Sequence, residues 1–198
     1  MFLTYHTCKR NVYLLLLSLC ACQIPAEEAV MPQPAKNTIM YLIPKGEHYA
    51  TSHPFKATTT TKLSFEVTFD STAIYTSVAP ENQGDINKLY GVSDCGVSHQ
   101  TNSARFGWRW YNNQLEIHAY TYLNQVRQSK YIGTVELGQK NTCTLELCDG
   151  TYTFRLNGQQ VELPRACTGA GAGYQLYPYF GGDEVAPHAI TIQLKELH

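Results

Sequence analysis

The chain has 198 residues, with 15 lysines and arginines against 16 aspartates and glutamates, for a formal charge of −1. That balance, with no basic stripe, lacks the electrostatic footprint of a nucleic-acid partner, and none is expected. The length fits one domain with enough chain to bury a real core and calls for no second one.

At the amino end, Lys9 and Arg10 precede an apolar run at residues 12–19 that is too short to span a bilayer and reads as a signal-peptide core. The run closes on Leu19-Cys20-Ala21-Cys22, which resembles the lipobox of bacterial lipoproteins: a leucine three positions before the acylated cysteine and a small residue just before it. Cys20 is the poorer acceptor because Leu19 precedes it, where the peptidase needs a small side chain. Cys22 is therefore the expected lipidation site, and residues 1–21 the cleaved signal peptide. A buried N-terminal helix is disfavoured because no amphipathic period follows. Cleavage removes two basic and no acidic residues, leaving about 177 residues and a charge of −3. Residues 22–39, with Pro25, Pro32 and Pro34 and no period, read as a tether from membrane to domain. Glu27-Glu28 fits either a plain solvated linker or a surface-export signal. The expected location is the cell envelope, on the periplasmic or surface face of an outer membrane.

From residue 40 onward alternation replaces helical periodicity. Leu63, Phe65, Val67 and Phe69 alternate with Ser64, Glu66 and Thr68, the pattern of a strand with one buried face. No amphipathic helix follows, so the class is all-β. Lys88, Asp94, His99 and Asn102 fall in a segment read as irregular, where Asp94 and Asn102 are expected to satisfy turn backbone and His99 is kept as a binding candidate. Asn112-Asn113 then turns a strand at residues 105–111 back into one at residues 114–123. This pairs Trp110 with Leu115, Trp108 with Ile117 and Phe106 with Ala119 on the core side. The other side sets Arg109 against Glu116, Gly107 against His118 and Arg105 against Tyr120, with Tyr122 continuing the row. The register of residues 130–137 is left open. Asp149-Gly150 and Asn157-Gly158 are turns that accept positive φ. Their two registers agree, giving a meander over residues 143–163 with Cys143, Leu145, Leu147, Tyr152, Phe154, Val161 and Leu163 inward. Export permits oxidation of Cys95, Cys143, Cys148 and Cys167. None has zinc-site spacing, Cys143 and Cys148 point to opposite faces, and no disulfide is assigned.

Phe106-Gly107-Trp108-Arg109-Trp110, the strand Leu115-Glu116-Ile117-His118-Ala119-Tyr120 and a closing strand at residues 189–194 together resemble the concanavalin-A-like lectin and glucanase jelly roll, as found in bacterial lipoproteins and secreted carbohydrate-binding proteins. The resemblance implies a two-sheet antiparallel sandwich over residues 40–198 and a glycan groove on one sheet. Arg105, Arg109, Glu116, His118, Tyr120, Tyr122 and His99 are the expected ligand-binding residues. Guanidinium forks suit carboxylate or sulfate, aromatic rings stack on sugar faces, and Gly107 leaves a dip for a ring opposite His118. Arg109 with Glu116 also reads as an ordinary cross-strand ion pair. No cofactor is expected. Asp183 and Glu184 offer a calcium site at most, against a solvated turn.

A retaining glucanase needs two carboxylates on one face about 5–5.5 Å apart, and no strand provides them. A polysaccharide lyase is the stronger enzymatic alternative, with His118, Tyr120 and Arg105 as base, acid and carboxylate neutraliser. Ile117-His118 and Tyr179-Phe180 resemble the histidine and tyrosine motifs of alginate-lyase-type jelly rolls. Their arginine-glutamate-arginine strand is absent, and Gly181 stands where a lysine follows the tyrosine-phenylalanine pair. The favoured expectation is a non-catalytic polysaccharide-binding lipoprotein, followed by the lyase and then by a structural or adhesion domain.

Overall fold

The computed structural model describes residues 37–197; the expected signal peptide, Cys22 and nearly all of the tether lie outside them. Twelve strands make up the described chain: β1 (Ile39–Ile43), β2 (Ala57–Thr60), β3 (Lys62–Phe69), β4 (Asn87–Ser93), β5 (Ser103–Tyr111), β6 (Gln114–Leu123), β7 (Val126–Val135), β8 (Asn141–Cys148), β9 (Thr151–Leu156), β10 (Gln159–Pro164), β11 (Gly171–Leu176) and β12 (Ile190–Leu197). Two short 3-10 turns, Ser71–Ala73 and Pro80–Gly84, are the helical elements among the described residues. The strands form two six-stranded antiparallel sheets, ordered β1-β12-β3-β8-β9-β10 and β2-β11-β4-β5-β6-β7. This is the two-sheet jelly-roll sandwich expected from the sequence.

Turn chemistry sets the registers. Asn157 and Gly158 carry φ of 48° and 92°, and Leu156 faces Gln159, Phe154 faces Val161 and Tyr152 faces Leu163 as expected. Across Asp149-Gly150, Leu147 meets Tyr152 and Cys143 meets Leu156. Asn112 and Asn113 both lie at positive φ, and β5 pairs with β6 through Trp110–Leu115, Trp108–Ile117, Phe106–Ala119, Arg109–Glu116 and Arg105–Tyr120. The open register resolves into β7 running against β6, with a bulge between Ile117 and His118.

Between the sheets lies a core of edge-on and tilted aromatic pairs. Phe106 stands 5.5 Å from Phe65 and 5.2 Å from Phe154, ring centre to ring centre, and Trp108 stands 5.4 Å from Phe69. These arrangements set the positive ring edge on the negative face of its neighbour. Trp108 is fully buried, and Trp110 packs partly buried against the same core.

Two sequence expectations are corrected here. Lys88 does not sit in an irregular segment; it lies in β4. Cys95 and Cys167, 72 positions apart, form a disulfide, whereas none was assigned. Their Cα atoms come within 5.8 Å because the turn after β4 meets the loop before β11, an approach made by the topology. Cys143, buried, and Cys148, exposed, remain free thiols, in keeping with their opposite faces.

Candidate functional site

On the outer face of the second sheet the strands build the floor of a groove of about 450 Å³. Arg105 from β5, Lys88 from β4, Tyr120 and Tyr122 from β6, and Tyr174 and Gln175 from β11 line it. Residues 49, 53–55, 99–100, 176–179 and 182 complete the walls, and no carboxylate is among the described residues that line it.

A bulge brings the two cations together. Lys88 pairs with Gly107 and Gly91 with Arg105, so β4 uses one residue more than β5 over the same span. Leu89 and Tyr90 both turn into the core as a result, while Lys88 and Arg105 share the outer face. Gly91 is required there, because a Cβ would overlap Arg105 itself. A Cβ at Gly181 would meet the Lys88 ammonium, so a side chain there would displace the amine from its present place.

The floor is sunken, which alternation alone could not reveal. Arg105 is only 8% exposed and Tyr120 3%. Among the described residues the Arg105 side chain has no hydrogen-bond partner, and its Nε is buried. Its guanidinium carbon sits 5.7 Å from the Tyr120 ring centre, with the Lys88 Nζ 5.1 Å from the same ring and 5.8 Å from that of Tyr179. Ring faces thus surround the two cations, and the Asp85 charge acts on Lys88 in the sense opposite to burial. Burial, helped by the Arg105 charge, lowers the Lys88 amine from its ordinary 10.5 to about 8. Burial raises the Tyr120 phenol to about 12, so it stays a proton donor.

His99 is fixed by Tyr174, whose phenol oxygen accepts the His99 backbone N–H at 3.2 Å and lies 2.8 Å from His99 Nδ1. Burial, with Arg105 nearby, pushes the imidazole below its ordinary value, which keeps it neutral.

The expected residues therefore divide. Arg105, Tyr120, Tyr122 and His99 meet in the groove. Arg109, Glu116 and His118 share the sheet face but form a separate cluster. Glu116 Oε2 accepts from Arg109 Nε at 2.7 Å and lies 3.0 Å from His118 Nε2. His118, 5% exposed, packs edge-on against Tyr131, and burial lowers its pKa. Arg109 also donates to the Gly84 carbonyl at 2.6 Å. The dip expected over Gly107 is filled by Ile86, whose Cγ2 stands where a Cβ would be. Asn102 does satisfy turn backbone, its Oδ1 accepting from the Asn124 N–H at 2.8 Å. Asp94 does more: fully buried, it pairs with Arg165 at 2.7 Å and accepts from the Tyr152 hydroxyl at 2.7 Å.

The Glu184 carboxylate accepts the N–H groups of Val78 and Ala79 and the Asn82 amide, which is the turn reading of the possible calcium position. The metal-like grouping among the described residues, Asp94 with Cys95 and Cys167, does not fit an ion. Its two sulfurs are bonded to each other and its carboxylate is held by Arg165. Lys88, Tyr174, Tyr179 and Phe55 are groove residues that sequence reading did not assign. Tyr177, Pro178, Tyr179 and Gly182 also line the groove.

The fold class is the two-sheet antiparallel jelly-roll sandwich. No family model matches the sequence, and no curated protein matches it. Among solved structures the fold is similar to alginate lyase vAL-1 from Chlorella virus, at 11% identity and TM-score 0.50 over 80% of this chain and 82% of that one. It is similar to alginate lyase AlyC3 at 11% identity and TM-score 0.51, over 81% and 74%. A functionally unknown protein from Saccharomyces cerevisiae matches at 8% identity and TM-score 0.50, over 80% and 85%. At these identities the likeness is one of fold.

Proposed function

We propose that the groove binds an anionic polysaccharide through its carboxylate or sulfate groups. The observation that carries the reading is the buried Arg105 guanidinium, without a hydrogen-bond partner among the described residues, beside the Lys88 ammonium in a tyrosine-lined groove whose described lining holds no carboxylate. A buried cation without a counter-ion is costly, and an incoming anion is the natural partner. The tyrosines supply stacking faces for sugar rings. Calorimetric titration of the purified protein with alginate, polygalacturonate, hyaluronan and a neutral glucan tests this. Binding of at least one polyanion, lost in Arg105→Gln, is expected; binding of the neutral glucan alone would refute it.

A second reading, β-elimination, is favoured by one observation: an amine with a pKa of about 8 stands 5.1 Å from the ring centre of a phenol held protonated. Arg105 would neutralise a uronate carboxylate, neutral Lys88 would take the C5 proton, and Tyr120 would protonate the leaving glycosidic oxygen as the C4–O bond breaks and C4=C5 forms. Lys88 here takes the place first given to His118, which lies off the groove. The two readings differ in pH dependence. Binding by the ammonium weakens as pH rises through about 8, whereas turnover by the free amine increases over the same interval. Ultraviolet absorbance of unsaturated products, followed against pH, separates them.

We also propose that the chain is lipid-anchored through Cys22 in a bacterial cell envelope. Incorporation of labelled palmitate, abolished in Cys22→Ala, is the corresponding test.

A further inference from the structure

The groove walls come from the strands of one sheet in spatial order. Phe55 precedes edge strand β2, Tyr174 lies on β11, Lys88 on β4, Arg105 on β5 and Tyr120 on β6. A second cavity of about 210 Å³ shares Tyr120 with the first and continues to Arg127 and Ser129 on β7, the opposite edge. Ser129 faces Tyr120 and Arg127 faces Tyr122 across the β6–β7 ladder, so all four belong to one face. Two features at the ends have no structural explanation. Phe55 is 82% exposed, with its ring 5.8 Å from Tyr174. Arg127 is exposed and has no carboxylate partner among the described residues.

We infer that the ligand is an internal stretch of a linear polyanion lying across all six strands, with a ring stacked on Phe55 and Tyr174 at one edge and a second anionic group met by Arg127 and Ser129 at the other. The inference rests on the anionic reading of the groove and adds ligand length, direction and two end subsites. Six strands at a spacing of about 4.8 Å span roughly 24 Å, the run of about five pyranose units. Asp85 also lines the second cavity, which makes that subsite weaker than the Arg105 floor; its Oδ2 accepts the Asp183 N–H at 3.4 Å. Arg109, on the same wall, is already held by Glu116 and Gly84, which leaves Arg127 as the adaptable cation.

Size ladders of oligoalginate, oligogalacturonate and hyaluronan fragments, two to six units long, provide the test by titration into the purified wild-type protein and the Phe55→Ala and Arg127→Gln variants. Affinity should climb with length to about five units. Each variant should lower hexamer affinity about five- to ten-fold and leave the shortest bound fragment unaffected, with an unchanged thermal midpoint. Length-independent binding, or hexamer affinity untouched in both variants, would overturn the extended mode while leaving the Arg105 site intact. Binding of no fragment at any length would remove the anionic reading itself, and the extended mode with it.

Discussion

Two arginines of this domain are nearly inaccessible to water, and their surroundings are opposite. Arg165 is surrounded by acceptors: its Nε donates to Asp94 Oδ2 at 2.7 Å, Nη2 to Asp94 Oδ1 at 3.3 Å, and Nη1 to the carbonyls of Cys148 and Gly169 at 2.9 and 2.8 Å. Arg105 has ring faces, a second cation and an unpartnered Nε. The first arrangement is what folding alone asks of a buried guanidinium, with each charge and donor answered from within the chain. The second leaves the answer to something outside it. On the proposed function, this contrast separates a structural arginine from one held for a ligand.

The contrast yields a graded set of outcomes. The largest is expected for Asp94→Asn, which strands Arg165 in the interior. A loss of about 3–5 kcal/mol in chemical denaturation is expected, with any effect on glycan binding secondary. Removing the Cys95–Cys167 crosslink in Cys95→Ser frees a long unfolded-state loop and should cost about 2–4 kcal/mol, read the same way. Arg105→Gln should invert the pattern, lowering polyanion affinity about a hundredfold, or about 2–3 kcal/mol, while the denaturation midpoint stays or rises because an unpaired buried charge is gone. A stability loss as large as that of Asp94→Asn would abolish the distinction.

The pH dependence sharpens it further. Burial opposes ionisation of Asp94, but the hydrogen bonds from Arg165 and Tyr152 hold it below its ordinary 3.8. Its contribution to stability is therefore complete above the unfolded value and is lost as pH falls through the lower folded one. The thermal midpoint should drop in that acid range for the wild type and much less for Asp94→Asn. Lys88 behaves in the opposite sense as a ligand group: polyanion affinity should decline as pH passes through about 8 and stay level in Lys88→Met. The smallest effect is expected from Arg109→Ala, where a partly exposed ion pair with Glu116 contributes about 0.2–1 kcal/mol.

Sequence reading reached the sandwich because turn chemistry reports register directly. Asn157-Gly158, Asp149-Gly150 and Asn112-Asn113 each pin a ladder, and a period of two then assigns every side chain to a face. Arg105, Tyr120 and Tyr122 were placed on the groove side by that logic alone. What alternation cannot report is depth. His118 is on the same face as Arg105, yet Tyr131 and Glu116 cover it, because a bulge in β7 sets Tyr131 opposite. Lys88 escaped for a related reason: the β4 bulge breaks the alternation that would have marked a strand there. Tyr174, Phe55 and the Cys95–Cys167 pair are brought in by the crossing of distant segments, which no local pattern encodes.

The account rests on Arg105 as the group that awaits an anion. A crystal structure of the protein soaked with an acidic oligosaccharide examines this directly. A carboxylate or sulfate oxygen within hydrogen-bond distance of Arg105 Nε, with Lys88 Nζ on the same group, is the expected result. Sugar density against Arg109 and His118 with the Arg105 floor empty would contradict it.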